Sequence, residues 1–268
     1  MLECRPPCAA CFYLREASFM YTRPRPPASR LALLALLWLA ACASPPSLQP
    51  DLPEQFAAWS SRPLPGKRLT EYSLGQRDGR SCLLGQAKQS VSLWRRSLDL
   101  PAAQVEQLQF DVWIGDHAPK ATVTAAETDD APARILLGFD GDEDRLTLAN
   151  RMQFELVRTL TGEAPPYATL MYVWDASAPP ETLVVSARSD RIRKIVVGSG
   201  RKGAPVWQHL KRDVRADYQR AFGEAPGRLV SLALMTDGDN TASRAEACYG
   251  DILLLDGQAR TLDGSLRF

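Results

Sequence analysis

Histidine is scarce in this sequence, which has only His117 and His209 among its 268 residues. Two histidines cannot form a histidine-rich metal site, and a catalytic triad would have to use one of them. The sequence also lacks the G-x-S-x-G, P-loop and H-E-x-x-H motifs. These absences remove several frequent classes of hydrolase, nucleotide-binding protein and metalloprotease from consideration.

An excess of charge of either sign is also missing. The formal net charge is +1, from 32 basic and 31 acidic residues, so nothing draws the protein towards nucleic acid. The stretch GSGRKG at residues 198–203 matches the G-x-G-x-x-G fingerprint of dinucleotide-binding folds. The next predicted strand has no acidic residue at its end, and no series of βαβ units surrounds the motif. We therefore expect neither a nucleic-acid partner nor a nucleotide cofactor.

One short apolar run, LALLALLWLAAC at residues 31–42, organises the N-terminal part. It follows several arginines and is shorter than the roughly 20 residues of a membrane-spanning helix. These features predict a signal peptide at residues 1–41, and residues 1–19 are interpreted as an over-extended start before Met20. The ending Leu-Ala-Ala-Cys resembles the lipobox of bacterial lipoproteins, which predicts acylation of Cys42 and attachment of the protein to a membrane through lipid.

Proline and serine dominate the residues that follow Cys42, which predicts an extended spacer over residues 42–58. Residue 43 is alanine and not the aspartate that resembles an inner-membrane retention signal. We therefore expect a cell-envelope location, with the periplasmic face of the outer membrane favoured over the inner membrane.

Six cysteines are present, and three of them (Cys4, Cys8 and Cys11) precede the predicted cleavage site. With Cys42 assigned to lipid, Cys82 and Cys248 remain for the mature domain. Disulfides persist outside the cytoplasm, so these two residues form either a bridge or two separate buried thiols. The sequence leaves both alternatives open.

Short alternating segments separated by turn residues characterise residues 59–268, which we interpret as a single domain. The predicted strands cover residues 68–74, 81–87, 91–98, 107–114, 120–127, 133–139, 167–174, 182–187, 192–197, 229–235 and 252–255. Apolar residues spaced for a helix occur at 144–160 and at 206–222. Many strands and few helices predict a mainly β fold, an antiparallel β-sandwich with one or two flanking helices.

Two acidic segments attract attention as binding sites. Asp140, Asp142 and Asp144 resemble the head of a calcium loop without its glycine and its final glutamate, so a solvated acidic turn is the favoured alternative to a Ca2+ site. The second segment, MTDGDNT at residues 235–241, contributes Asp237, Asp239, Asn240 and Thr241. These oxygen-bearing side chains suit a cation, a polar ligand or the hydrogen bonds of a structural loop.

Trp113 is a further candidate for ligand binding, because it falls on the opposite face of its strand from Phe110 and Val112. An aromatic side chain at such a position stacks on a sugar or meets a second layer of the protein. The sequence does not decide between these alternatives.

Three segments resemble the sequence of a bacterial family: YATLMYVW (167–174), LMTDGDNT (234–241) and YGDI (249–252). The stretch from Trp207 to Tyr218, between the first two segments, shares this resemblance. This family is catalogued as domain of unknown function 3047. The resemblance implies an exported β-sandwich, similar in outline to jelly-roll, galactose-binding-like carbohydrate-binding modules, without an established activity. It adds Tyr249 and Asp251 to the candidate ligand-binding residues.

Taken together, these features favour a lipid-anchored envelope protein that binds a glycan or an envelope partner. One alternative is a carboxylate-dependent hydrolase of envelope carbohydrate, with Asp237, Asp239, Asp140 and Asp142 as its acids and bases. Another is a structural envelope component without a small ligand. Apart from the Ca2+ considered above, no cofactor is expected.

Overall fold

A computed structural model describes residues 54–115, 117–200 and 206–268 of the chain. The predicted signal peptide at residues 1–41, the lipid site at Cys42 and most of the 42–58 spacer lie outside the described residues. Within the described residues, no helix combines the length and the apolar character that crossing a membrane requires.

The described residues form twelve strands and two α-helices. The strands are β1 (Trp59–Pro63), β2 (Glu71–Arg77), β3 (Arg80–Lys88), β4 (Ser92–Leu100), β5 (Gln107–Ile114), β6 (Arg134–Phe139), β7 (Ala168–Asp175), β8 (Leu183–Ser186), β9 (Ser189–Ser199), β10 (Trp207–Asp213), β11 (Leu229–Met235) and β12 (Arg244–Leu255). The helices are α1 (Leu148–Thr161), between β6 and β7, and α2 (Val214–Phe222), between β10 and β11.

The strands are arranged in two sheets. One has seven strands in the order β1-β4-β11-β6-β7-β9-β8, and the other has five in the order β10-β5-β12-β3-β2. Every neighbouring pair is antiparallel except β7 with β9. The prediction of a mainly β, antiparallel sandwich with one or two flanking helices is therefore confirmed.

The main core lies between the two sheets, and alternation along each strand decides which side chains enter it. In β6, Ile135 and Leu137 point inwards and belong to the core, whereas Leu136 points to the opposite face. There Leu136 joins a second apolar cluster with Ala233 and Met171. The surface that carries this second cluster is called the outer face of the seven-stranded sheet below.

Strand register defines the two ends of the sandwich. Leu229 lies opposite both Leu100 and Phe139, and Phe139 lies opposite Ala168. Because α1 belongs to the connection from Phe139 to Ala168, this end is called the α1 end. Met235, at the other end of β11, precedes the connection to β12, so the opposite end is called the loop end.

The single helix predicted over residues 206–222 is wrong in its first half. Residues Trp207–Asp213 form the edge strand β10, which pairs with β5 along its whole length. The Asp213 side chain then accepts a hydrogen bond from the Ala216 N–H and caps α2, and Gly223, with φ of 72°, ends the helix. Pairing with the open edge of β5 outweighed the helical spacing of the apolar residues.

The helix predicted over residues 144–160 is present as α1, displaced by a few residues. Thr147 caps its start by accepting a hydrogen bond from the Asn150 N–H, and Gly162, with φ of 77°, follows its end. The helix buries Asn150 and Phe154. Its apolar stripe lies on the opposite side and faces solvent.

The strand predicted over residues 120–127 is absent. This part of the loop between β5 and β6 contains a short 3-10 turn at Ala126–Thr128. The Thr122 N–H donates to the Thr128 carbonyl across the loop, and the Val123 N–H donates to the Asp175 carboxylate at 2.7 Å. Local hydrogen bonds of threonine and aspartate side chains thus replace a strand ladder here.

Candidate functional site

The loop between β11 and β12, residues 236–243, is held by an acid that the sequence analysis did not single out. Asp130 is 1% exposed. Its carboxylate accepts hydrogen bonds from the Asn240 N–H (3.0 Å), the Thr241 N–H (2.7 Å) and the Thr241 hydroxyl (2.6 Å). Three donors of the loop are thus satisfied by one buried side chain, which fixes the backbone of the loop.

Asp237 joins the same loop to the start of β6. Its carboxylate accepts hydrogen bonds from the Ala131 N–H at 2.6 Å and from the Arg134 guanidinium, whose terminal nitrogen lies 3.0 Å from the second oxygen. Arg134 also donates to the backbone carbonyl and the carboxylate of Asp129. The Lys194 ammonium from β9 pairs with the other oxygen of that carboxylate. The result is a buried network of alternating acids and bases.

Burial changes the proton affinities in this network. It raises the pKa of Asp237 to about 7, and the nearby Arg134 offsets only part of that effect. Burial likewise lowers the pKa of Lys194, with Arg134 acting in the same direction and Asp129 against it. Groups with shifted pKa values cluster at structural ion networks as well as at functional sites, so their contacts have to decide their role.

The shifted pKa of Asp237 predicts a pH-dependent effect of Asp237→Asn on stability. The wild-type folded state takes up a proton on Asp237 near pH 7, whereas an ordinary aspartate does so near pH 3.8, so its stability decreases as the pH rises from about 4 to about 7. Asparagine does not titrate. The free energy of unfolding of the variant minus that of the wild type should therefore rise by about 2–3 kcal/mol between about pH 5 and pH 8.

Urea denaturation at several pH values measures this difference. Asp263→Asn is the matched control, because the side chain of Asp263 is 66% exposed and its ion pair with Arg96 lies at the surface. We expect a flat difference for the control. A flat difference for Asp237→Asn as well would contradict the raised pKa.

A trough of about 70 Å³ lies beside this network on the outer face of the seven-stranded sheet. Met171, Met235 and Lys194 contribute to its lining, together with Asn240 from the loop and Arg188 from the β8–β9 turn. The volume is far below the roughly 300 Å³ of a small cofactor pocket. It suits a single side chain or the edge of a sugar ring.

The other residues of the MTDGDNT segment have structural partners. The Asp239 carboxylate forms an ion pair with the Lys67 ammonium. The Asn240 side-chain amide donates to the Ala126 carbonyl at 2.7 Å. The Thr241 hydroxyl, besides its bond to Asp130, lies 2.8 Å from the Ser243 hydroxyl.

Neither Tyr249 nor Asp251 lines the trough. The Tyr249 hydroxyl is buried between the sheets, donates to the Met235 carbonyl at 2.7 Å and lies 2.9 Å from the Thr236 hydroxyl. The Asp251 carboxylate accepts a hydrogen bond from the Phe268 N–H at 2.9 Å. Both side chains therefore hold parts of the fold together.

Trp113 lies on the outer face of the five-stranded sheet, where the Arg77 guanidinium covers its ring at 5.1 Å from the centroid. Beside it, Arg80 covers Trp207 at 4.3 Å. Beneath the two rings, Cys82 and Cys248 are joined by a disulfide between β3 and β12, with 5.6 Å between their Cα atoms. Trp113 thus covers the disulfide and does not present a free stacking surface.

In the first acidic segment, Asp140 and Asp142 accept hydrogen bonds from backbone N–H groups. The Asp140 carboxylate accepts a hydrogen bond from the Arg228 N–H. Asp142 accepts one from the Asp144 N–H at 3.0 Å, which caps a short 3-10 turn. In the described part of the chain, Asp140, Asp142 and Asp144 do not form a group of converging ligand atoms.

A different acidic group does converge. Ligand atoms of Asp130, Asp237 and Asp239 lie within 4.8 Å of one another. The cations that face them are the chain's own, the Arg134 guanidinium and the Lys67 ammonium. Backbone N–H groups donate to Asp130 and Asp237 as well, so each of the three carboxylates is engaged by groups of the chain itself.

Residues 57–253, well over half of the chain, match the family described as "Protein of unknown function (DUF3047)". The chain belongs to this family. The predicted resemblance is therefore confirmed, and it covers both sheets of the sandwich up to β12.

A solved structure, the family 11 xylanase from Neocallimastix patriciarum, is similar to this DUF3047 domain in part of its fold. The TM-score is 0.32 at 10% sequence identity, and the match covers 72% of this chain and 97% of the xylanase. Among curated proteins, the comparison found no match.

Sequence reasoning missed the partners of the MTDGDNT segment in this DUF3047 domain: Lys67, Asp130 and Arg134. It also missed Asp129, which pairs with Arg134, and Lys194, which pairs with Asp129. A signal for Arg134 was present, because it stands in a strand that is otherwise strongly apolar, where a charged side chain needs a buried partner. The identity of that partner depends on contacts between strands that are distant in sequence.

Proposed function

We propose that this DUF3047 protein is an exported lipoprotein, acylated at Cys42 and attached to the periplasmic face of the outer membrane, which binds an envelope partner without transforming it. The apolar run at residues 31–42, with its lipobox-like ending, supports export and acylation. Two or three acyl chains would hold the domain stably on a bilayer.

The observation that supports binding rather than catalysis is the use of the motif carboxylates. Both oxygens of Asp237 are engaged by Arg134 or the Ala131 N–H, and Asp130 is engaged by the loop backbone. A glycoside hydrolase needs two carboxyl groups that face one substrate bond, one as acid and one as base or nucleophile. Asp140 lines a separate cleft. The contacts therefore do not support the hydrolase alternative.

The lining of the trough favours a protein segment as the partner. Its apolar part is aliphatic, with Met171, Met235 and Ile192, and methionine adapts to varied side chains. No aromatic residue is among the described residues that line it, and Trp113 and Trp207 are covered by arginines. Stacking on a sugar ring, the usual contribution of aromatics to glycan binding, is thus unsupported. The proposal requires no cofactor.

Photo-cross-linking in intact cells tests the proposal, with a photoreactive residue at the half-exposed position of Asn240. We expect a discrete adduct with one envelope protein. Arg188, exposed at the rim of the trough, would contact the partner, so Arg188→Glu should reduce the adduct about tenfold, the loss of roughly one charged hydrogen bond. Arg215→Glu, an exposed change on α2 away from the trough, should leave it unchanged.

A glycan array with the same protein distinguishes the alternatives. Glycan binding that Arg188→Glu abolishes would replace the protein partner with a carbohydrate. If the experiments yield no adduct and no glycan binding, this result would contradict a binding function and favour the structural alternative.

A further inference from the structure

Helix α1 carries an unusual concentration of exposed apolar side chains. Leu148, Met152, Leu156 and Leu160 are 74%, 66%, 57% and 60% exposed. Their spacing of four residues places them on one stripe, opposite the buried Phe154. We call these four residues the apolar stripe. Large apolar side chains gathered in one patch usually mark an interaction surface, whereas single ones need no explanation.

The apolar stripe lies at the end of the sandwich from which the chain enters β1. Along β1, Trp59 lies opposite Arg96 and Pro63 lies opposite Ser92, so the chain runs from the α1 end towards the loop end. The chain therefore enters β1 from the side of the α1 end. An ion pair between Arg62 and Glu163, just after α1, also ties β1 to this helix.

The length of the chain between Cys42 and Glu54 limits how far the domain can lie from a membrane that holds Cys42. From Cys42 to Glu54 the chain spans at most about 40 Å when fully extended. On the proposed acylation of Cys42, on which this inference rests, the bilayer surface lies within that distance of Glu54. The stripe is thus a group of large exposed apolar side chains at the end of the sandwich from which the chain enters β1.

The charged side chains of α1 already have partners within the protein. Arg158 lies within ion-pair distance of Glu155 and of Glu143, and Arg151 donates to the Leu146 carbonyl at 3.2 Å. A helix of this kind has no basic face for anionic headgroups. Its attraction to a membrane would come from the burial of apolar surface, which depends little on ionic strength.

We propose that the apolar stripe of α1 lies in the interface of the bilayer that holds the lipid of Cys42. The sandwich then stands on its α1 end. The loop end, with residues 236–243, points away from the membrane into the surrounding compartment.

Site-specific fluorescence on vesicles tests this orientation. The full chain is produced in a bacterium that processes lipoproteins, purified and reconstituted into vesicles of phosphatidylethanolamine and phosphatidylglycerol. Leu156→Cys is labelled with bimane, and Leu69→Cys is the matched control. Leu69 is 58% exposed, like Leu156, but neighbours Thr70, whose hydroxyl donates to the Thr236 carbonyl at the loop end.

A lipid with a nitroxide on the upper acyl chain serves as the quencher, because an interfacial helix sinks about 5–10 Å into the headgroup region. We expect quenching at position 156 to exceed that at position 69 by about threefold or more, with little change in 1 M salt. Intact mass of the same preparation reports the acyl chains independently.

The possible results separate the two proposals. Acyl mass together with equal quenching at both positions would overturn the orientation and leave the anchor standing. Absence of acyl mass would overturn the anchor and the orientation with it. Blue-shifted emission at position 156 without quenching by the nitroxide lipid would mean that protein covers the stripe, such as a second copy, and would also overturn the proposal.

Discussion

Replacing Arg134 by methionine is expected to lower the free energy of unfolding by about 3–5 kcal/mol near pH 8. Arg134 is 3% exposed and serves both Asp129 and Asp237. Removing it leaves the buried Asp237 carboxylate with the Ala131 N–H as its remaining hydrogen-bond donor among the described residues. A buried carboxylate without its cation is costly, and methionine restores volume but no charge. The melting temperature should fall by about 10 °C or more.

Acidic pH should reduce the loss of unfolding free energy that Arg134→Met causes. Burial already raises the pKa of Asp237 to about 7, and loss of Arg134 removes the group that lowers it, so Asp237 becomes neutral more easily in the variant. Near pH 5 the cost of Arg134→Met should therefore be smaller than near pH 8. Adding Asp237→Asn to the variant should recover part of the loss at pH 8, because asparagine cannot ionise.

Arg95→Met is the matched control. Arg95 lies on β4 in the same sheet, and its partner Glu163 is 43% exposed. An ion pair that water reaches contributes roughly 0–1 kcal/mol, so we expect a small change in unfolding free energy. Denaturant titrations of the three variants provide the comparison. Equal losses for Arg134→Met and Arg95→Met would show that the buried network is not needed for stability.

Removal of the disulfide is expected to have an effect of similar size. Cys82 and Cys248 are 166 positions apart, and closing so long a loop restricts the unfolded chain by an entropy worth about 5 kcal/mol. Measured losses for native disulfides are commonly about 2–5 kcal/mol. For Cys82→Ala/Cys248→Ala we therefore expect a loss of about 3–5 kcal/mol in the free energy of unfolding.

Reductant supplies an internal control for this variant. Both cysteines are fully buried beneath Trp113 and Trp207, so reduction of the native protein should be slow. Wild-type protein that is unfolded with reductant should match the double variant in stability, and the variant itself should not respond. Two titratable thiols in the unfolded, unreduced mature domain would show that the bridge does not form.

The sandwich was predictable because strand alternation is a local property. Leu108, Phe110 and Val112 alternate with polar residues in β5, and the structure buries all three. Residues 207–213 show the limit of this approach. Their apolar spacing suited a helix, but the edge of β5 offered a complete ladder of backbone hydrogen bonds. The sequence of a segment does not reveal which edge will be available to it.

The sequence identified the motif residues of the candidate site but not their partners. The cluster of Asp237, Asp239, Asn240 and Thr241 is visible because these residues are neighbours in the sequence. Their partners are not: Asp130 lies more than a hundred positions away from Asn240, and the two meet because β6 and β11 pair. Whether the acids act on a ligand or on the loop itself depends on those partners.

By itself, the sequence determined the β-rich class, the family and the acidic motif, because periodicity and short motifs are written along the chain. It also carried the hypothesis of a lipid anchor at Cys42. Only the tertiary structure decided that the motif acids pair with Arg134, Lys67 and backbone amides, and that the apolar stripe of α1 faces outwards. The reason is physical: burial and charge neutralisation are properties of contacts between distant segments, and those contacts exist only once the sheets have formed.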